Sequence, residues 1–414
     1  MRVLWRFLGV VMVASAASGG PLATVPSAGV GGNAGMTQQA GSNAGLKDWT
    51  ISFRARALAA GVSAATFDGA FQGVVYSPDV ITKDRNQSEF TKTIWDYLDS
   101  AASDDRIENG KKALSQNRAL LDRIEATYGV DREIVTAIWG LESAYGTFRG
   151  DYPLIGSLAT LAYDGRRAAF FEEQLLAALQ ILQSGDVTAE QMTGSWAGAM
   201  GHTQFIPTSY LGFAVDFSGD GKRDIWSDDP VDALASTAAY LAKSGWQKGA
   251  PWGLEIKLPP GYDYAVSGER VKKTVAEWQT LGIRAVDGKA LPDHGSASVL
   301  LPAGARGAAF LIFANFQVIE TYNTADAYVI GVGHLADRIK GGPAIQAGWP
   351  RDLRALVLDE RIELQERLTA AGIDPGAVDG KIGPNTIAAV KAFQKTVGIV
   401  PDGYPSLDIL KRLR

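Results

Sequence analysis

Glu142 is the one charged residue in the apolar run Ile134-Val-Thr-Ala-Ile-Trp-Gly-Leu-Glu-Ser-Ala-Tyr-Gly146. At helical spacing Val135, Trp139, Glu142 and Gly146 share a stripe, with Ile134, Ile138, Leu141 and Tyr145 beside it. A carboxylate among such neighbours loses water, so its protonated form is favoured. Each unit of upward pKa shift corresponds to roughly 1.4 kcal/mol. An acid kept protonated near neutrality is what cleavage of a glycosidic bond asks of its general acid. The alternative is a structural carboxylate paired with a cation such as Arg149 or Arg166. A second run, Gly194-Ser-Trp-Ala-Gly-Ala-Met-Gly-His-Thr-Gln-Phe-Ile-Pro-Thr-Ser-Tyr210, sets Ser195, Gln204 and Tyr210 among small and apolar residues. Hydrogen-bonding groups in such company make a sugar-binding wall, and small residues alone make tight packing.

Glycosidases typically place two carboxylates across the scissile bond. No second acid matches Glu142: Asp151, Asp164 and Asp216 all stand in polar, loop-like contexts. Asp216 instead opens Asp216-Phe-Ser218-Gly-Asp220-Gly-Lys222-Arg-Asp224, which has the oxygen spacing of the first part of an EF-hand loop. Lys222 falls where such a loop contributes a backbone carbonyl, and Ser227 falls where its closing Glu belongs. The segment is a candidate calcium site or an Asp/Gly-rich turn with solvated charges. Cysteine is absent and His202, His294 and His334 are scattered, a poor donor set for zinc.

These groups need a helical scaffold to hold them, and 414 residues allow two or three domains with a buried core. A net charge of −5 provides no basic footprint for nucleic acid. Residues 1–16 read as an export signal: Arg2 and Arg6, a short apolar core, then Ala14-Ser-Ala16. No stretch reaches membrane-spanning length, and no Cys is available for lipid attachment, so a periplasmic location is expected. Residues 17–45, rich in Gly, Ala and Ser, read as a disordered linker. From 46 to 345 helical periodicity dominates, as in 168–182 and 232–243. Between 251 and 301 shorter apolar runs, such as 255–258 and 298–301, predict a small strand-containing insert. A Gly/Pro-rich connection leads to a module at 353–414. There Asp379-Gly380 and Asp402-Gly403 mark turns before two helices, a weak internal repeat.

The runs 139–146, 194–201 and 204–210, with Ala214-Val-Asp-Phe-Ser-Gly-Asp-Gly221, Pro230–Tyr240 and Phe316-Gln-Val-Ile-Glu-Thr-Tyr322-Asn323, resemble the lytic murein transglycosylase B family. The string Leu364-Gln365 … Val378-Asp-Gly380 … Gly383-Pro-Asn-Thr386 … Phe393-Gln394 resembles the three-helix peptidoglycan-binding domain, with Ile382 where an aromatic is usual. The resemblance implies a mainly α fold: a lysozyme-like helical catalytic domain with the small insert, followed by the three-helix domain. It implies cleavage of peptidoglycan strands by Glu142 as single acid/base, with no cofactor needed and 1,6-anhydro-muramoyl products. Ser195 and Gln204 would contact the sugar, Tyr322 and Asn323 would sit by Glu142 and the transition state, and Tyr97 and Tyr240 would form stacking walls. The resemblance also favours Asp232 as the closing calcium ligand, with Asp228 and Asp229 as alternatives. Expected partners are peptidoglycan strands and proteins of wall synthesis or secretion. Competing expectations are a lysozyme-like hydrolase and an inactive wall-binding scaffold.

Overall fold

The computed structural model describes residues 41–85 and 92–414. The expected export signal, and the linker as far as residue 40, lie outside these. Seventeen α-helices occur among the described residues, against seven strands of two to five residues, so the molecule is mainly helical as expected. The strands are β1 (Tyr152–Pro153), β2 (Thr193–Gly194), β3 (Gly253–Lys257), β4 (Lys273–Thr274), β5 (Arg284–Ala285), β6 (Ser296–Leu300) and β7 (Ala309–Ile312).

The chain divides into two compact units, residues 41–85 with 142–233 and residues 92–141 with 234–414. In the first, helix Asn43–Ala59 begins where Ser42 accepts a hydrogen bond from the Gly45 amide (3.1 Å). The last three residues of the expected linker are therefore helical. Helices Leu154–Asp164 and Ala168–Ser184 bury Leu158, Leu161, Leu175 and Leu179 almost completely, the apolar face that the 168–182 periodicity predicts. Buried Gln174 accepts from the Thr208 amide (3.1 Å) and hydroxyl (3.0 Å), fixing the start of helix Pro207–Phe213. β1 and β2 pair antiparallel, Tyr152 opposite Gly194.

In the second unit, helix Asp326–Ile339 is buried along Val329, Ile330, Val332 and Leu335. The insert is a five-stranded antiparallel sheet in the order β4-β6-β7-β3-β5. Trp278, Val299, Leu311 and Phe313 fill its core, and the Trp278 indole donates to the Ala297 carbonyl (2.9 Å). β3 and β6 each start two residues earlier and end one earlier than the periodicity predicts. β7 is a wholly buried run, which has no alternation to betray it.

The C-terminal module consists of helices Leu358–Ala370, Pro384–Thr396 and Leu407–Leu413 around Leu364, Leu368, Val390, Phe393 and Leu410. Its internal repeat is physical. Gln365 Oε1 accepts from the Gly380 amide (2.7 Å), and Gln394 Oε1 accepts from the Gly403 amide (2.7 Å). Each buried glutamine thus ties its helix to the Asp-Gly turn ahead of the next helix.

Candidate active site

Glu142 is the penultimate residue of helix Arg132–Ser143 and is 9% exposed. Residues 134–141 are buried on every side of this helix. The helix stops abruptly after it. Ala144 (φ 48°), Tyr145 (φ 59°) and Gly146 (φ 87°) follow in the left-handed region, costly for the two residues that carry a Cβ. Ser143 holds this turn: its hydroxyl donates to the His202 carbonyl (2.5 Å) and accepts from the Gly146 amide (2.9 Å). The Phe148 amide donates to the Ser143 carbonyl (2.9 Å).

The two cations considered as structural partners for Glu142 are engaged elsewhere. Arg166 donates to the Asp84 carboxylate (2.7 Å). Arg149 donates to the carbonyls of Trp226 (2.9 Å) and Ser227 (2.5 Å) and to Asp228 (2.5 Å). Sequence reasoning missed this strap and the part His202 plays in it. His202 is buried, and its Nε2 lies 2.8 Å from the Ser227 carbonyl. Burial, with Arg149 nearby, lowers its pKa and keeps the ring neutral.

The 194–210 run folds tightly upon itself. Met200 and Phe205 exchange backbone hydrogen bonds (2.8 and 3.0 Å), and the Ser195 amide donates to the Ala199 carbonyl (2.8 Å). Gly150, at φ 83°, lies against this run: a Cβ there would stand 2.3 Å from the Gly194 carbonyl. Ser195 is buried, and its hydroxyl oxygen accepts from the Ala199 amide (2.9 Å), which leaves the O–H to donate. Gln204, at φ 53°, donates from Nε2 to the carbonyls of Arg149 (3.1 Å) and Gly201 (2.8 Å). Two carbonyl acceptors fix the orientation of its amide and reserve Oε1 as an acceptor. Tyr210 is wholly buried, and its hydroxyl donates to the Arg223 carbonyl (2.6 Å), so it belongs to the core.

In the same unit, carboxylate oxygens of Asp216, Asp220 and Asp232 lie within 4.8 Å of one another, a hard oxygen set of the kind calcium takes. Burial raises the pKa of Asp232, against the pull of the amides of Ser218 (2.8 Å), Phe217 (2.9 Å) and Asp224 (3.0 Å) that donate to it. For Asp216 a slight burial is outweighed by donation from the Gly221 (2.8 Å) and Gly219 (2.6 Å) amides, and its pKa is lowered. Ser218 Oγ lies 3.1 Å from Asp216. Asp224 instead accepts from the amides of Trp226 (2.9 Å) and Ser227 (3.1 Å). Of the two alternative closing residues, Asp228 is paired with Arg149, and Asp229 accepts from the Val231 amide (3.1 Å).

The remaining site candidates belong to the second unit. Tyr322 ends helix Ala314–Tyr322, and Asn323 caps it in extended geometry, with its Oδ1 accepting from the Ala325 amide (3.0 Å). The Tyr240 ring packs on that of Tyr322 (centroids 5.2 Å apart, 30° between planes), and its hydroxyl donates to the Thr321 carbonyl (2.5 Å). Tyr240 thus backs Tyr322, so the two rings form one aromatic unit. Tyr97, on helix Ile94–Ala101, is 8% exposed and packs so closely on Gly331 that a Cβ there would meet its ring at 2.9 Å. A cluster of Glu269, Glu320 and Asp326 flanks Tyr322–Asn323. Sequence reasoning missed it because Glu269 lies 51 positions before Glu320.

The chain is thus a mainly helical protein with a buried acid at a helix end, a close-packed loop that follows it in sequence order and a terminal three-helix module. Residues 45–337 match the transglycosylase SLT domain family and residues 358–413 a peptidoglycan binding domain family. The chain belongs to the transglycosylase SLT domain family. It is similar to SltB3 from Pseudomonas aeruginosa, solved in complex with NAG-anhNAM-pentapeptide and with NAG-NAM-pentapeptide. That match has 52% identity and a TM-score of 0.86, and covers 89% of this chain and 99% of that one. It is 32% identical over 246 residues to membrane-bound lytic murein transglycosylase B of Escherichia coli, spanning 59% of this chain and 66% of that relative's length. Slt35 of Escherichia coli, solved in complex with calcium, matches at 28% identity and a TM-score of 0.61, covering 72% of this chain and 93% of that one.

Proposed function

We propose that this chain is a lytic transglycosylase that cleaves the β-1,4 bond between N-acetylmuramic acid and N-acetylglucosamine in peptidoglycan without consuming water. The observation that carries the reading is the burial of Glu142 within a chain 52% identical to a relative seen with an anhydro-muramoyl ligand. Glu142 protonates the glycosidic oxygen as the bond to the anomeric carbon breaks. The muramoyl C6 hydroxyl then attacks that carbon and surrenders its proton to the Glu142 carboxylate. The acid is regenerated and the product carries a 1,6-anhydro ring. Because the nucleophile belongs to the substrate, the enzyme's task is to hold the ring in a reactive shape. Ser195, through its O–H, and Gln204, through Oε1, are proposed sugar contacts. Tyr322 and Asn323 are proposed to bind substrate, with Tyr240 supporting Tyr322 and Tyr97 supplying the edge of a wall.

Asp216, Ser218, Asp220, the Lys222 carbonyl and Asp232 are proposed to hold a structural calcium, a reading supported by the three neighbouring carboxylates and by the calcium complex of Slt35. The C-terminal module would retain the enzyme on the wall. We place the protein in the periplasm, where proteins of wall synthesis or secretion would be its neighbours. Among the described residues no helix is long and apolar enough to cross a membrane.

Mass spectrometry of fragments released from sacculi tests the reading. Products one water lighter than the reducing form, absent with Glu142→Gln, are expected. Reducing ends would indicate a hydrolase, and binding without release a scaffold. Wild-type turnover by Glu142→Gln would remove the acid/base assignment.

A further inference from the structure

One segment of the second unit is gripped from two sides. Residues 263–272 run from the turn Tyr264–Val266 to β4. From helix Pro384–Thr396 of the C-terminal module, the Lys391 ammonium donates to the Tyr264 carbonyl (2.9 Å), the Ser267 carbonyl (2.7 Å) and Ser267 Oγ (2.9 Å). All three of its hydrogens are used on neutral acceptors. In the first turn of the same helix, Asn385 Oδ1 accepts from Arg270 (3.0 Å). The sheet holds the segment as well: the Gly268 amide donates to the Val299 carbonyl (2.7 Å), and Ser298 Oγ donates to the Glu269 carbonyl (2.9 Å).

On the other side the Glu269 side chain meets Glu320 and Asp326, with oxygens of all three carboxyls within 4.8 Å of one another and hydrogen bonds among them. Glu320 stands two residues before Tyr322, and Asp326 opens the helix that follows Asn323. Three carboxyls this close cannot all ionise. Burial first, then mutual repulsion, raises Glu320 and Asp326 far above the ordinary carboxylate range, and burial raises Glu269. The charges facing the cluster are Arg270 on Glu269 and Lys272 on Glu320, and both pull downward. Near neutrality the cluster therefore keeps shared protons, and its carboxyls bind rather than repel one another.

We propose that Glu269 is a positioning residue: by binding Glu320 and Asp326 it fixes the Tyr322–Asn323 corner, and the C-terminal module holds Glu269 in place through Lys391 and Arg270. This rests on the reading of Tyr322 and Asn323 as substrate-binding residues. The C-terminal module then shapes the glycan site as well as retaining the wall. As pH rises and the shared protons leave, repulsion replaces the hydrogen bonds and the corner loosens.

The test is the affinity for a soluble peptidoglycan tetrasaccharide, measured by calorimetry across pH on full-length Glu142→Gln protein, where Glu142 no longer titrates. Affinity should fall as pH rises through neutrality. Adding Glu269→Gln, which keeps hydrogen bonds and cannot ionise, should shrink that fall while leaving neutral affinity within about threefold. Adding Lys391→Met should weaken binding about fivefold to tenfold, although a soluble fragment gains nothing from wall retention. If Asn323→Ala weakens binding but Lys391→Met does not, or the pH dependence is undiminished by Glu269→Gln, the inference fails and the reading beneath it stands. If neither Asn323→Ala nor Tyr322→Phe changes affinity, the substrate-binding reading fails, and this inference with it.

Discussion

Asp84 is 2% exposed and is held by the guanidinium groups of Arg166 and Arg167. Burial alone would raise its pKa, but the two arginines outweigh it and hold the carboxyl below its usual range. A depressed folded pKa means stabilisation that is full above the unfolded carboxylate pKa and is lost as pH falls through the folded value. Asp84→Asn should therefore cost about 2 kcal/mol at neutral pH. Its deficit in Tm relative to wild type should shrink in acid, and thermal melts across pH check both statements. Glu142 was legible in the sequence because a carboxylate is conspicuous in an apolar helix. The grip on Asp84 was not, since its partners come from a loop 82 and 83 positions later.

At the scale of the element, the loop from Asp216 to Asp232 brings three carboxylates together with backbone amides rather than cations. Such an arrangement is under electrostatic stress that a bound divalent cation relieves. Calcium at about a hundred times its Kd should stabilise the native state by about 2.7 kcal/mol. That corresponds to a rise in Tm of about 5–10 °C, reversed by chelator. Asp220→Asn, which removes one charge but retains an acceptor for the Lys222 amide, should weaken this response. An unchanged Tm with calcium would remove the ion from the account. The sequence displayed the loop's spacing, but three aspartates remained open as its closing residue. The fold brings Asp232 to Asp216 and Asp220 and pairs Asp228 with Arg149.

For the whole molecule, the C-terminal module has its own apolar core, and a module of that size is marginally stable. Phe393→Ala should open a cavity costing about 3–5 kcal/mol, enough to unfold the module as a separate calorimetric transition. Co-sedimentation with sacculi should fall accordingly. Retention at the wild-type level would mean that the catalytic unit holds the wall by itself.

The sequence by itself determined the helical class, the strand-bearing insert, the terminal three-helix module and its Asp-Gly repeat. All are written in local periodicity, turn chemistry and motif order, which act between residues close in the chain. Only the tertiary structure decided what Gln204 binds, that Tyr240 backs Tyr322, and that β7 completes the sheet. It alone joined Lys391, Arg270 and Glu269 to the Glu320–Asp326 corner. Those outcomes depend on side chains tens to more than a hundred positions apart, and no local pattern encodes which of many chemically equal partners the packed chain will bring within reach.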